Sequence, residues 1–140
     1  MFGQKICFIN LPVKDLPRSK AFYTALGFGN EPRFTDETAA CMIWSETIYV
    51  MLLSHAKWAE FDKRPINDGS SGEVMIAITV PQRDDVDAML ATATEKGGGP
   101  DPYPAQDYPF MFSRSFTDLD DHIWEAAWMN PAGLPEEEPA

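Results

Sequence analysis

An acidic turn followed by a strand-like run carries the most chemically informative side chain of the sequence. Residues 118–121 read Asp-Leu-Asp-Asp. Such short polar side chains hydrogen-bond their own backbone and tolerate left-handed geometry, so two strands can reverse there. Beyond the turn, alternation places Ile123, Glu125 and Ala127 on one face of a strand. If that face is buried, Glu125 is an acid in a core or a cavity, where it could accept a proton or anchor a cationic or hydroxyl-bearing ligand.

A buried carboxylate needs a partner, because an ionised group without one is costly and takes up a proton instead. Arg114 is the nearest candidate cation, and Phe112, Arg114 and Phe116 alternate onto one face of the preceding strand. An ion pair between Glu125 and Arg114 is therefore the structural alternative to a functional Glu125.

The first half of the chain predicts one strand, one helix and three further strands. A β-branched and aromatic run over residues 4–12 predicts the first strand. Asp15 and Pro17 suit the first turn of a helix, which Gly27 ends. The three further strands are predicted over residues 28–34, 38–45 and 47–54.

The second half repeats this order after a polar connector. Residues 55–72 combine a short amphipathic turn around Trp58 with a segment rich in Asn, Asp, Gly and Ser, which predicts a linker. A helix is predicted over residues 83–96. The accompanying strands are predicted over residues 73–80, 99–103, 110–117 and 122–129.

This order predicts an α+β fold of two tandem βαβββ modules in a single domain, residues 1–140. The first module covers about residues 4–54 and the second about residues 73–129, with the linker between them. Three prolines and three glutamates over residues 130–140 predict a mobile tail.

Composition restricts the class of protein further. With 140 residues and 44% hydrophobic content, the chain can form one globular domain with a proper core. It has neither an apolar run of the roughly 18 residues that span a membrane nor a signal-peptide pattern, so we expect a soluble, cytoplasmic protein. Its 22 acidic and 11 basic residues give a net charge of −11, which disfavours nucleic acid and anionic membrane as partners. Both cysteines lie in strand-like runs, so we expect no disulfide.

Two motifs together resemble a known family. Residues 8–23 read FINLPVKDLPRSKAFY, and residues 116–125 read FTDLDDHIWE. In this order they resemble the glyoxalase/bleomycin-resistance/extradiol-dioxygenase superfamily, the vicinal oxygen chelate fold, over about residues 4–129. The resemblance implies two βαβββ modules that curl into an incomplete β-barrel around a cavity, with the helices outside. A second subunit usually completes or caps this cavity, so we expect a homodimer.

Metal-using members of that superfamily hold a divalent ion with four side chains. Aligning the motifs places these four positions on Phe8, Met51, Met75 and Glu125. Only Glu125 can bind a hard or borderline cation, because phenylalanine has no lone pair and thioethers prefer soft ions. Asn10 could add one amide oxygen, which gives two ligands at most. We therefore predict no metal and no other cofactor, and a divalent metal is the alternative.

The same alignment implies a cavity with a mostly apolar wall and a few polar groups. Methionine and phenylalanine make such a wall adaptable, and polar groups within it orient a small-molecule ligand. For the methionines, ordinary core packing is the alternative. A loop over residues 104–107 could form a lid. The predicted ligand-binding residues are Phe8, Asn10, Met51, Met75, Phe112, Arg114 and Glu125, of which Glu125 is also the candidate catalytic residue.

Three functions stay open at this point, because a fold does not fix a function. The first is metal-free binding of a small organic molecule, and the chain resembles the bleomycin-resistance branch in lacking metal ligands. The second is a glyoxalase-like lyase or dioxygenase that uses Glu125 with a non-standard set of metal ligands. The third is a dimeric scaffold without a small-molecule role.

Overall fold

The computed structural model describes residues 3–134. The chain divides into two compact units, Met1–Ser71 and Gly72–Ala140, which we describe separately. Within the described range, no helix is long and apolar enough to cross a membrane. Residues 135–140 of the predicted mobile tail lie outside the described residues.

The first unit is built on a four-stranded sheet of order β1-β4-β3-β2. Strand β1 runs parallel to β4, and the other pairs are antiparallel. Helix α1 packs against β3 and β4, while the short helix α2 packs against β4 and β1. In chain order the elements are β1 (Cys7–Val13), α1 (Leu16–Ala25), β2 (Gly29–Asn30), a 3₁₀ helix (Pro32–Phe34), β3 (Ala39–Ser45), β4 (Ile48–Ser54) and α2 (His55–Ala59).

Helix α1 begins and ends as its sequence predicts. The Asp15 carboxylate accepts a hydrogen bond from the Arg18 backbone N–H at 3.1 Å, which satisfies one of the free amides of the first turn. Phe22 and Tyr23 are buried and meet edge to face, with ring centroids 5.5 Å apart. Gly27 follows the helix with a φ of +107°, a left-handed conformation that glycine adopts without steric cost.

The prediction of a strand over residues 28–34 is wrong for most of that range. Only Gly29–Asn30 pairs with β3, and the chain then turns into a 3₁₀ helix. Glu31 begins that helix, because its carboxylate accepts from the Arg33 backbone N–H at 3.0 Å and from the Arg33 Nε–H at 2.8 Å. Pro32 follows and has no N–H to donate to a neighbouring strand.

The second unit repeats this plan. Its sheet has the order β5-β9-β8-β6, and β7 pairs with β8. Strand β5 runs parallel to β9, the other pairs are antiparallel, and α3 packs against β8 and β9. The predicted α+β fold with tandem βαβββ modules is therefore confirmed. In chain order the elements are β5 (Met75–Thr79), α3 (Arg83–Glu95), β6 (Gly99–Pro100), β7 (Gln106–Tyr108), β8 (Met111–Thr117), β9 (Ile123–Met129) and a 3₁₀ helix (Pro131–Gly133).

One segment of the second unit differs from its prediction. The strand predicted over residues 99–103 shrinks to Gly99–Pro100, and the predicted lid loop contains strand β7. Strand β7 pairs with β8 in a tight hairpin, with Tyr108 opposite Met111. A three-residue strand is too short to show alternation, so its sequence pattern could not reveal it. Two of the four residues of the predicted loop, Gln106 and Asp107, are thus paired backbone.

The acidic turn between β8 and β9 forms as predicted. Asp118 is buried, and its Oδ1 accepts from the backbone N–H groups of Asp120 and His122, both at 2.9 Å. Asp121 has a φ of +65°, the left-handed geometry expected of such a residue. This turn connects the two strands in a register that sets Ser115 directly opposite Glu125.

Replacement of Leu52 by alanine tests the core of the first unit. Leu52 is fully buried in β4, between β1 and β3. Because such truncations leave a cavity, we expect the free energy of unfolding in urea to fall by about 2–5 kcal/mol. The same substitution at Leu134, which is 49% exposed, should change it by less than about 0.5 kcal/mol. Equal losses in the two variants would contradict this assignment of the core.

Candidate functional site

Arg114 lies on the face of the second sheet that α3 covers. Its guanidinium donates to Asp87 of α3 at 2.9 Å and to Asp101 at 2.7 and 3.1 Å. These hydrogen bonds raise the pKa of Arg114, and the bond from Arg114 lowers the pKa of Asp101. The alternative of an ion pair between Arg114 and Glu125 is therefore wrong, because strand alternation and the hairpin register place the two side chains on opposite faces.

Glu125 lies on the other face, within a cluster of hydroxyl groups. The Ser113 Oγ–H donates to Glu125 Oε1 at 2.5 Å. The pKa of Tyr103 is raised by burial, by the negative charge of Glu125 and by the hydrogen bond of its hydroxyl to Glu125. Ser115 fixes Tyr103, since the Ser115 hydroxyl accepts from the Tyr103 backbone N–H at 3.3 Å and donates to its carbonyl oxygen at 3.2 Å.

The cluster contains one carboxylate, that of Glu125, which accepts a hydrogen bond from Ser113. Ser113 and Ser115 are fully buried, whereas Glu125 is half-buried. A carboxylate can accept about four hydrogen bonds, so the bond from Ser113 leaves room for a ligand. The cluster can therefore accept a proton or bind a hydroxyl or amino group. The two serines and Tyr103 are not among the predicted site residues, since the hairpin register that sets Ser113 and Ser115 on the face of Glu125 is known only from the structure.

Three other predicted residues share one face of the first sheet. The register of β1 and β4 sets Asn10 beside Met51 and Phe8 beside Tyr49. The Phe8 and Tyr49 rings stack with centroids 4.9 Å apart, and Phe8 is 41% exposed. By alternation, these side chains point away from the fully buried Val50 face of the same strand. The structure therefore brings Phe8, Asn10 and Met51 together as predicted.

Helix α2 and the residues after it form a pocket over this face. The Ser54 hydroxyl accepts from the Lys57 backbone N–H at 3.2 Å, so the chain turns from β4 directly into α2. That turn brings Trp58 and Phe61 into contact with the sheet residues. The pocket has a volume of about 300 Å³ and is lined by Asn10, Leu53, Trp58, Phe61 and Asp62.

Among these lining residues, the sequence predicts a binding role for Asn10 only. Trp58 and Phe61 fall in the predicted linker over residues 55–72, which carries no predicted binding residue. Their spacing of three residues puts both rings on one side of a helical turn, and this pattern was the available signal. Leu53 and Asp62 gave no comparable signal.

Charged side chains around the pocket are paired with each other. Asp62 accepts from the Arg64 backbone N–H at 3.0 Å and from the Arg64 Nη2–H at 2.8 Å, and these bonds lower the pKa of Asp62 to about 2. The carboxylate is therefore ionised at neutral pH. The Lys57 ammonium lies 3.8 Å from a carboxylate oxygen of Glu60 and 5.6 Å from the centroid of the Phe61 ring.

Met75 and Phe112, the other predicted ligand-binding residues of the second unit, lie on opposite faces of its sheet, since Met75 pairs with Ile123 on the face of Glu125. Met75 is 65% exposed on the edge strand β5. Phe112 lies on the α3 face, where the Arg83 guanidinium is 4.2 Å from the centroid of its ring. This distance is typical of a cation–π contact. Phe112 thus has a structural partner and does not share a face with Glu125.

The side chains do not fit the divalent ion of the superfamily's metal-using members. Among residues 3–134, no group of three or more His, Cys, Asp or Glu side chains is placed to hold a metal ion. Of the four positions that the resemblance implies, Glu125 alone offers a suitable oxygen. Its neighbour Ser113 donates a hydrogen bond to it, and the hydroxyl groups of Ser113 and Tyr103 are not the imidazole, thiolate or carboxylate ligands of such sites.

This architecture occurs in known proteins. Residues 5–44 match the model of a family described as bleomycin resistance protein-like N-terminal. The hypothetical protein SA1046 from S. aureus is 27% identical, with a TM-score of 0.74 over 89% of this chain and 93% of that one. A glyoxalase-related enzyme from Fulvimarina pelagi is 22% identical, with a TM-score of 0.74 over 98% and 99% of the two chains.

A glyoxalase/bleomycin resistance protein/dioxygenase family enzyme from Burkholderia phytofirmans PsJN has the same fold at 14% identity, with a TM-score of 0.73 over 90% of this chain and 99% of that one. No curated protein matches the sequence significantly. The resemblance to the glyoxalase/bleomycin-resistance/extradiol-dioxygenase superfamily is confirmed: residues 5–44 match a bleomycin resistance protein-like model, and the chain has the fold of proteins described as glyoxalase/bleomycin resistance proteins.

Replacement of Arg114 by methionine tests its ion pairs. Arg114 holds the pKa of Asp101 below its unfolded value of about 3.9, so this stabilisation is present above that pH and is lost as the pH falls through the folded-state pKa. We expect Arg114→Met to lower the free energy of unfolding most near neutral pH and less as the pH drops below about 4. Urea denaturation over a pH series measures this, and a loss that does not depend on pH would contradict it.

Proposed function

We propose that the protein binds a small organic molecule without a metal ion, in the pocket of the first unit. The pocket carries the proposal, because its volume of about 300 Å³ lies at the lower end of small-molecule sites and suits a compound built on one ring. Two aromatic side chains and one aliphatic side chain form its wall, while an amide and a carboxylate supply polar groups. This combination is typical of ligand-binding sites.

The exposure of the wall gives further support. Phe61 is 73% exposed, and Trp58 is half-buried. A ligand packed against these rings would remove apolar surface from water, which is favourable by roughly 25 cal/mol per Å². Trp58 is held on helix α2, which Ser54 caps, so little conformational freedom of its backbone would be lost on binding.

A metal-free mode of action is supported by the chemistry of the four positions that the resemblance implies. Phe8 stacks on Tyr49 and has no donor atom. Met51 and Met75 offer only thioethers, which hard cations bind poorly. A single carboxylate leaves a divalent ion mostly hydrated, and such an ion binds weakly.

A second candidate function is an enzyme of lyase or dioxygenase type that uses Glu125 with a non-standard set of metal ligands. The hydrogen bond from Ser113 favours a chemical role, since it restricts the orientation of the carboxylate. A scaffold without a small-molecule role is the third candidate, and it would require no ligand at all. A homodimer stays a prediction from the resemblance.

Replacement of Phe61 by alanine tests ligand binding in the pocket. We expect a thermal-shift screen of aromatic fragments to yield compounds that raise the melting temperature of the native chain, since ligands that bind only the folded state stabilise it. Phe61→Ala should abolish these shifts and leave the melting temperature of the free protein nearly unchanged, because the ring is 73% exposed.

Phe34→Ala is the matched control, because Phe34 is 44% exposed in the same unit and does not line the pocket. This variant should keep every shift. Compounds that stabilise Phe61→Ala as well as the native chain would contradict the proposed site. A screen without any stabilising compound would favour the scaffold.

Metal analysis separates the proposed binder from the metal-dependent enzyme. We expect protein purified without chelator to contain only substoichiometric transition metal by plasma mass spectrometry, because the described side chains supply too few ligands. A stoichiometric metal that disappears in Glu125→Gln would contradict the metal-free proposal. The same metal retained in Ser113→Ala would then identify Glu125 itself as the ligand.

A further inference from the structure

We infer that the pocket of the first unit takes an uncharged aromatic compound whose amide-like group pairs with Asn10. The inference rests on the proposed function, because it specifies the class of molecule that this pocket would bind. It follows from the charges, the walls and the polar groups of the pocket.

The charges around the pocket leave no site for a charged ligand. Asp62 accepts from the Arg64 backbone N–H, Nε–H and Nη2–H at 3.0, 3.0 and 2.8 Å, which occupies most of the acceptor positions of its carboxylate. To pair with Asp62, a cationic ligand would have to displace the guanidinium of Arg64, which lies only two residues away in the chain. An anionic ligand would meet the ionised Asp62 carboxylate in the lining.

A cation of the protein, the Lys57 ammonium, already lies near the aromatic wall of the pocket. The Lys57 ammonium lies 5.6 Å from the centroid of the Phe61 ring, and its other neighbour is Glu60 at 3.8 Å. A ligand cation would compete with Lys57 for the face of Phe61. Neutral aromatic surface has no such competitor, and it can pack on Trp58, Phe61 and the buried Leu53 at the base of the wall.

Asn10 supplies the polar contact that remains. Its carboxamide lines the pocket from strand β1, and no residue in the described range 3–134 hydrogen-bonds to it. A carboxamide offers an N–H donor and a carbonyl acceptor side by side, and an amide or lactam group of a ligand presents the same pair in reverse. Two such hydrogen bonds would fix the orientation of a planar, neutral molecule.

Three probes of nearly equal shape test this inference. Benzamide, benzoate and benzamidinium share one ring and a planar head group but are neutral, anionic and cationic. We expect benzamide to bind several-fold more tightly than the other two, with a Kd on the order of a millimolar for so small a molecule. Its affinity should not change with salt, because no net charge is involved. Attraction to the net charge of −11 would instead favour benzamidinium.

Variants of Asn10 test whether its carboxamide recognises the amide group of the ligand. Asn10→Leu should reduce the affinity for benzamide to that for the charged probes, and Asn10→Asp should shift the preference to benzamidinium. Asn67→Leu is the matched control, because Asn67 is exposed in the same unit and hydrogen-bonds to Gly69 and Ser71 of its own loop. Protein-observed NMR titration of the full chain measures all three affinities and locates the site.

Each outcome supports or overturns the inference. Benzamide bound most tightly, with loss in Asn10→Leu and in Phe61→Ala, supports it. Salt-sensitive preference for benzamidinium would assign recognition to Asp62, and preference for benzoate would assign it to Lys57 or Arg64, so either result overturns the neutral-ligand inference. If none of the three binds while other fragments give Phe61-dependent shifts, this inference fails and the proposed function stands. If no fragment binds at all, the proposed function fails with it.

Discussion

Burial of one face of each sheet against a helix is the constraint from which the position of every candidate side chain follows. Side chains of a strand alternate between faces, so the residues that pack under a helix force their neighbours onto the other surface. In the first unit the fully buried Val50 and Leu52 leave Met51 and Asn10 on the opposite face. In the second unit the contact of Arg114 with Asp87 of α3 leaves Glu125 on the face away from that helix.

The short helix α2 turns one of these open faces into a pocket. Its N-terminal cap at the end of β4 fixes the direction of the chain, and the rings of Trp58 and Phe61 then lie near Asn10. The charged side chains beside the pocket form ion pairs with each other: Asp62 pairs with Arg64, and Lys57 pairs with Glu60. The result is an aromatic site whose remaining polar contact is an amide.

Local patterns were sufficient to predict the fold and only part of the site. The cap at Asp15, the glycine at position 27 and the acidic turn gave the order of elements, because each acts within a few residues of the chain. The predicted alternative of an ion pair between Arg114 and Glu125 was wrong. Whether the two side chains share a face depends on the register of the β8–β9 hairpin, which the alternation along a single strand does not reveal. Trp58 and Phe61 could not be assigned to a binding site from the sequence, because their three-residue spacing shows that the two rings share one side of a turn but not which surface that side faces.

Binding of a small aromatic molecule beside Trp58 can be observed by fluorine NMR. The chain has four tryptophans, and 5-fluorotryptophan labelling gives each its own resonance, with Trp58 assigned from a Trp58→Phe variant. On titration with a fragment that raises the melting temperature, we expect a saturable shift of the Trp58 resonance while that of the fully buried Trp124 stays in place. A bound fragment that leaves the Trp58 resonance unchanged would contradict binding beside Trp58.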